Sequence, residues 1–147
     1  MNTNSMNNQS LRSLIFFLLL TVGSQFNSFA QCDTIATICE KNMAKNYLSD
    51  GQEYRALLIE EETAEFHLTL YGNSTYRFAA CSGLSEGNLI FSVYDKDRNP
   101  IFSNKDHAIS PYWDFKVTNT LDIIVEGNLN LDKLGSGCAV LLVGFKP

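Results

Sequence analysis

The sequence predicts an all-β protein, an antiparallel β-sandwich or jelly roll of about seven or eight strands with one N-terminal helix. Three observations predict it. Past Gly51, apolar side chains recur at every second residue, the period of a half-buried strand. Those runs are short and separated by clusters of Gly, Asn, Asp, Ser and Pro, the residues of tight turns. Before Gly51 the period is helical instead.

From Cys32 to Leu48 the residues Ile35, Ile38, Cys39, Met43 and Tyr47 fall near one helical face, while Asp33, Glu40, Lys41 and Lys45 fall largely elsewhere. Asp33 suits the helix cap, and Ser49-Asp50-Gly51 suits its end. Segment 53–59 then alternates through Tyr54, Ala56 and Leu58. Segment 65–71 sets Phe66, Leu68 and Leu70 against His67, Thr69 and Tyr71. Gly72-Asn73-Ser74 makes a turn into Thr75–Ala80, which carries Tyr76 and Phe78. Leu89, Phe91 and Val93 mark the next strand, and Asp95–Pro100 is turn-rich before Ile101-Phe102. Trp113, Phe115 and Val117 share a face, as do Leu121, Ile123 and Val125. Cys138–Phe145 is apolar on both faces and therefore reads as a central strand. The sheet faces account for most of the aromatics as core. The expected division is a signal peptide over 1–30, a helix over 31–50 packed on the domain, and a β-sandwich over 51–147.

The leader carries the compartment. Arg12 precedes the apolar run Leu14-Ile15-Phe16-Phe17-Leu18-Leu19-Leu20, and a polar stretch ends in Ser28-Phe29-Ala30. A charge, a short apolar run and a small-x-small end make a secretory signal peptide, cleaved near Ala30. The run is shorter than the roughly 20 apolar residues of a spanning helix. Lipidation at Cys32 wants a small residue before it, where Gln31 stands. The mature chain should start at Gln31 and work in the periplasm, at the cell surface or in the medium. Without Arg12 it keeps ten of the 11 Lys and Arg against 16 Asp and Glu, for a charge near −6. No basic cluster is present, which argues against nucleic acid and anionic membranes as partners.

Cys32, Cys39, Cys81 and Cys138 all lie in the mature chain. An even count in a small exported domain reads as two disulfides. Cys81 and Cys138 both sit in strand-like segments beside glycine, which favours pairing them. On an unbroken helix Cys32 and Cys39 would stand about 10 Å apart along the axis, too far to join. Either the helix frays at Cys32, or one of the two pairs elsewhere. Zinc is disfavoured because no Cys-x-x-Cys pair occurs.

The spacing Gly72-x-x-x-Tyr76-x-Phe78, the run Leu89-x-Phe91-x-Val93-Tyr94-Asp95-x-Asp97-x-Asn99, and the closing strand after Gly137 together resemble bacterial pre-peptidase C-terminal (PPC) domains. The resemblance spans residues 66–145. It implies a secreted β-sandwich of jelly-roll type, of a kind usually appended to hydrolases, with substrate or surface binding as its role.

Few groups carry chemistry. Asp95, Asp97 and Asn99 present oxygens at alternate positions and can offer three ligands to calcium, the one cofactor the sequence raises. The central glycine and terminal glutamate of a complete calcium loop are missing, so a solvated hairpin turn is the first reading. Glu60-Glu61-Glu62 with Glu65 reads as a solvated turn between strands. His67 is expected on an outward strand face, and Asp106-His107 in a loop. No Gly-x-Ser-x-Gly or His-Glu-x-x-His motif accompanies them, so no catalytic residues are assigned. Trp113 should be buried, leaving Tyr112, Tyr71 and His107 as candidate ligand contacts.

The expected function is that of a secreted, non-catalytic β-sandwich protein that binds an extracellular glycan or protein. A structural or assembly component of the bacterial cell envelope is the second expectation.

Overall fold

The alternating segments become eight strands in the computed structural model, which describes residues 27–147. They are β1 (Leu48–Ile59), β2 (Thr63–Leu70), β3 (Ser74–Cys81), β4 (Leu89–Asp95), β5 (Pro100–Ser103), β6 (Tyr112–Val117), β7 (Leu121–Leu129) and β8 (Ser136–Lys146). All pairings are antiparallel. One sheet runs β1-β8-β3-β6 and the other β2-β7-β4-β5. This order is that of an eight-stranded jelly roll. The apolar run Leu14–Leu20, and the signal-peptide reading built on it, lie outside the described residues. Residues 31–147 make one compact unit.

The core lies between the sheets, where Phe78, Phe91, Val93, Ile123, Val125 and Leu141 are almost wholly excluded from solvent. Strand β8 sits between β1 and β3 and is buried on both faces, as its unbroken apolar run predicts. Its inward residues Leu141 and Val143 join the core, while Cys138, Val140 and Leu142 face outward beneath the helix. At the β5 and β6 edges, Phe102 packs against Phe91, Trp113 and Phe115 at centroid distances of 5.5, 4.9 and 5.2 Å.

The helix, α1 (Asn27–Cys39), ends nine residues short of the expected Leu48. A 3-10 turn (Glu40–Asn42) follows, and Met43 is already extended. The chain must leave the outer face there to reach the β1 edge. Gly144 permits this route, because a Cβ on it would stand 3.1 Å from the Tyr47 Cβ and 3.3 Å from the Leu48 carbonyl. Asp33 lies within the helix rather than at its cap, and its carboxylate pairs with Arg55 of β1. Ser49-Asp50-Gly51 does not stop a helix either. The same turn chemistry forms a bulge in β1, with the register shifting between Ser49 and Glu53 and Gly51 at φ 79°.

The favoured Cys81–Cys138 pairing is wrong. The disulfides are Cys32–Cys138 and Cys39–Cys81. Cys81 is in register with Val140, so Cys138 lies two residues further along β8. Both sheet cysteines point outward, toward α1 rather than toward each other. The seven-residue spacing of Cys32 and Cys39 is about two helical turns, which puts both on one face. Each therefore meets one strand, and Ile35 and Ala36 are buried between them.

Candidate functional site

α1 covers the outer face of the first sheet. The outer face of the second exposes Glu65, His67 and Thr69 on β2 and Asp122 on β7. Polar bonds run across it. His67 Nε2 lies 2.7 Å from Glu65 Oε1, and the Thr69 hydroxyl donates to Asp122 at 2.6 Å. Arg98 reaches over from the β4–β5 turn and donates to Glu65 at 2.5 Å and Glu126 at 2.7 Å. Its hydrogen bond, ahead of that from His67, holds the Glu65 carboxyl below the usual range.

Asp95, Asp97 and Asn99 belong to that turn, and their bonding is a turn's. The Asp95 carboxylate accepts from the backbone of Asp97 at 2.9 Å, and from the backbone and side-chain amide of Asn99 at 2.8 Å each. The Asn99 bonds, above all the side-chain one, lower its pKa. The Asp97 carboxylate is held by Lys96. Among the described residues, no three His, Cys, Asp or Glu side chains are grouped to hold a metal ion. Asp95 thus shapes the loop that carries Arg98, which has φ 63°.

Strand β2 is a free edge, as is β1, and a cleft of about 480 Å³ opens beside them. Asp50, Gln52, Tyr54, His67, Tyr71 and Ser74 line it with core residues behind. The β1 bulge places Asp50 there. Its carboxylate accepts from the Gln52 amide at 2.9 Å and more weakly from the Tyr54 hydroxyl at 3.5 Å. Burial raises the Asp50 pKa, and burial with the Asp50 charge raises that of Tyr54. The Tyr71 amide donates to the Tyr76 hydroxyl at 2.8 Å, while the Tyr71 side chain projects into solvent at 66% exposure.

This cleft gathers an Asp, a His and a Ser, the residue types of a hydrolytic triad. Their bonds run elsewhere: His67 to Glu65, and Asp50 to Gln52 and Tyr54. A nucleophile set against a base is the geometry such chemistry requires, and no hydrogen bond among the described residues joins these three.

The three candidate contacts do not converge. Tyr71 lines the β1–β2 cleft. Tyr112 is 40% exposed on the outer face of the first sheet, over the Arg77 guanidinium at 4.4 Å. Exposed His107 stacks on Phe102 at 5.2 Å and meets Trp113 at 4.3 Å, at the β5–β6 side. Trp113 is only half-buried, because its ring closes that edge. Sequence reasoning passed over Asp50, Tyr54 and Arg98. A Ser-Asp-Gly bulge was readable as an alternative to a helix stop, whereas nothing local marked Arg98 as a bridge between β2 and β7.

The chain matches no protein-family model and no curated protein. Among solved structures it is similar to the crystal structure of Aeromonas hydrophila PliG, a periplasmic lysozyme inhibitor of g-type lysozyme. The TM-score is 0.51 at 14% identity, over 71% of this chain and 91% of that one. The likeness is one of fold. Among the described residues, no helix is long and apolar enough to cross a membrane.

Proposed function

We propose that this chain is a non-catalytic protein of the periplasm or extracellular space that binds a partner protein through its β1–β2 edge. One observation carries the reading: the cleft there holds polar and aromatic groups facing solvent, and among the described residues no nucleophile in it is bonded to a base. A concave recess with a few convergent polar groups is the usual form of a binding site. The two disulfides, the signal-peptide reading and the PPC resemblance support an address outside the cytoplasm. The fold likeness to PliG supports a protein over a glycan as ligand.

The experiment is capture and inhibition of a g-type lysozyme by the purified, oxidised protein, run beside a glycan array with and without calcium. A stoichiometric complex that lowers lysis supports the reading. Glycan binding without a protein complex overturns it in favour of a lectin-like module. Co-purification with an envelope complex and no effect on lysis favours an assembly component.

A further inference from the structure

We propose that the β1–β2 cleft receives an arginine projecting from a basic partner protein, with Asp50 as its counter-ion and Tyr54 and Tyr71 as flanking rings. This names the chemistry of the partner at the edge assigned above, and it rests on that assignment. Among the described residues, the lining supplies a carboxylate and no Lys or Arg. Its donors are two backbone amides, those of Gln52 and of Asp50 itself, and one long tyrosine contact, all of them neutral, whereas a carboxylate offers about four acceptor positions. Among the described residues, Asp50 therefore lacks the cationic partner that two other carboxylates of the fold have. Glu65 and Asp114 each meet an arginine, which lowers their pKa, while burial raises that of Asp50.

The molecule already holds one arginine in such a frame. The Arg77 guanidinium lies 5.0 Å from the Tyr47 ring centroid and 4.4 Å from that of Tyr112. It donates to both Asp114 oxygens, at 2.7 and 2.9 Å. The cleft repeats the ingredients, a carboxylate with tyrosines, without the cation. A guanidinium suits it better than an ammonium, because its plane stacks on rings and its fork matches a carboxylate. The cleft volume of about 480 Å³ accommodates that side chain. The net charge of the whole sequence, −5, favours basic partners in general.

The test follows the backbone amide signals of the isotope-labelled, oxidised protein while N-acetyl-arginine amide is added, and separately its neutral isostere N-acetyl-citrulline amide. The arginine derivative should shift the Asp50, Gln52 and Tyr71 amides saturably, and the citrulline one should not. Asp50→Asn should weaken that response about tenfold. Tyr71→Ala, at a side chain that is 66% exposed, should weaken it severalfold. Equal responses to both derivatives, or an Asp50→Asn variant that binds arginine normally, overturns the proposal. Capture of g-type lysozyme separates the two readings. Capture undiminished by Asp50→Asn keeps the protein-binding edge and removes the arginine. Arginine shifts without lysozyme capture support the pocket and set the inhibitor reading aside.

Discussion

Arg77 and Asp114 are register partners across β3 and β6, and their side chains meet through two parallel hydrogen bonds on the outer face of the sheet. Arg77 also donates to the Asn42 carbonyl at 3.3 Å, so the pair ties the segment after α1 to both strands. Tyr112, a candidate ligand contact by sequence, forms part of this frame.

Arg77 bonding, ahead of the opposing effect of burial, holds the Asp114 carboxyl below its usual range. A depressed carboxyl stabilises the fold above its unfolded pKa of about 3.9 and loses that contribution as pH falls through the lower folded value. Asp114→Asn should therefore lower stability at neutral pH. The Asp114 side chain is 40% exposed, and solvent screening keeps the loss to about 1 kcal/mol. Melting curves of both proteins between neutral and strongly acidic pH should converge at the acid end. A gap independent of pH would contradict the assignment.

Peptide mapping without reduction should recover Cys32 joined to Cys138 and Cys39 joined to Cys81. The second bridge spans 42 residues, and the chain-entropy model assigns such a loop about 4 kcal/mol. Cys39→Ser with Cys81→Ser should lower the denaturant midpoint accordingly. A double variant as stable as the parent would show that packing and the remaining Cys32–Cys138 bridge suffice to hold α1.

Asn104 is fully buried in the connection between β5 and β6. Its side chain accepts from the Phe91 amide at 2.9 Å and donates to the Leu89 and Ser110 carbonyls at 3.1 and 3.0 Å. Asn104→Ala strands these partners away from water and should cost about 2–3 kcal/mol, read by chemical denaturation. A cost near zero would mean that water replaces the amide.

Asp95→Ala removes the acceptor at the centre of the β4–β5 turn and should loosen the reach of Arg98 to Glu65 and Glu126. The melting temperature should fall, by the same amount with calcium and with chelator. A calcium-dependent rise in the parent, absent from the variant, would restore the metal reading of Asp95, Asp97 and Asn99.

The strands were legible because a period of two needs no knowledge of what packs against it. Even the central place of β8 followed from Cys138–Phe145 being apolar on both sides. Long-range pairing was not legible. Whether Cys81 faces Cys138 or a helix depends on a two-residue register offset, which no local signal carries. Gly72 shows the same limit. It reads as a turn residue, yet the left-handed conformation belongs to Asn73, at φ 60°. Gly72 is bare because a Cβ would lie 2.7 Å from the Thr118 carbonyl of another turn. At the candidate site, Tyr71 was identified from alternation, while Asp50 was hidden because a bulge and a helix stop use the same residues.

The placement of α1 dictates when this protein can become covalently closed. Its cysteines belong to the first element of the described chain, while Cys138 lies in the last strand, 106 residues beyond Cys32. β8 must also enter between β1 and β3 before either sheet face is complete. Such distant pairings form slowly, because loop closure precedes the contacts that reward it. Locking therefore waits for the carboxyl-terminal strand to arrive. Cys39 can meet Cys81 before then, whereas Cys32 oxidised early has only wrong partners. A mispaired Cys32 must therefore be released by disulfide exchange late in folding.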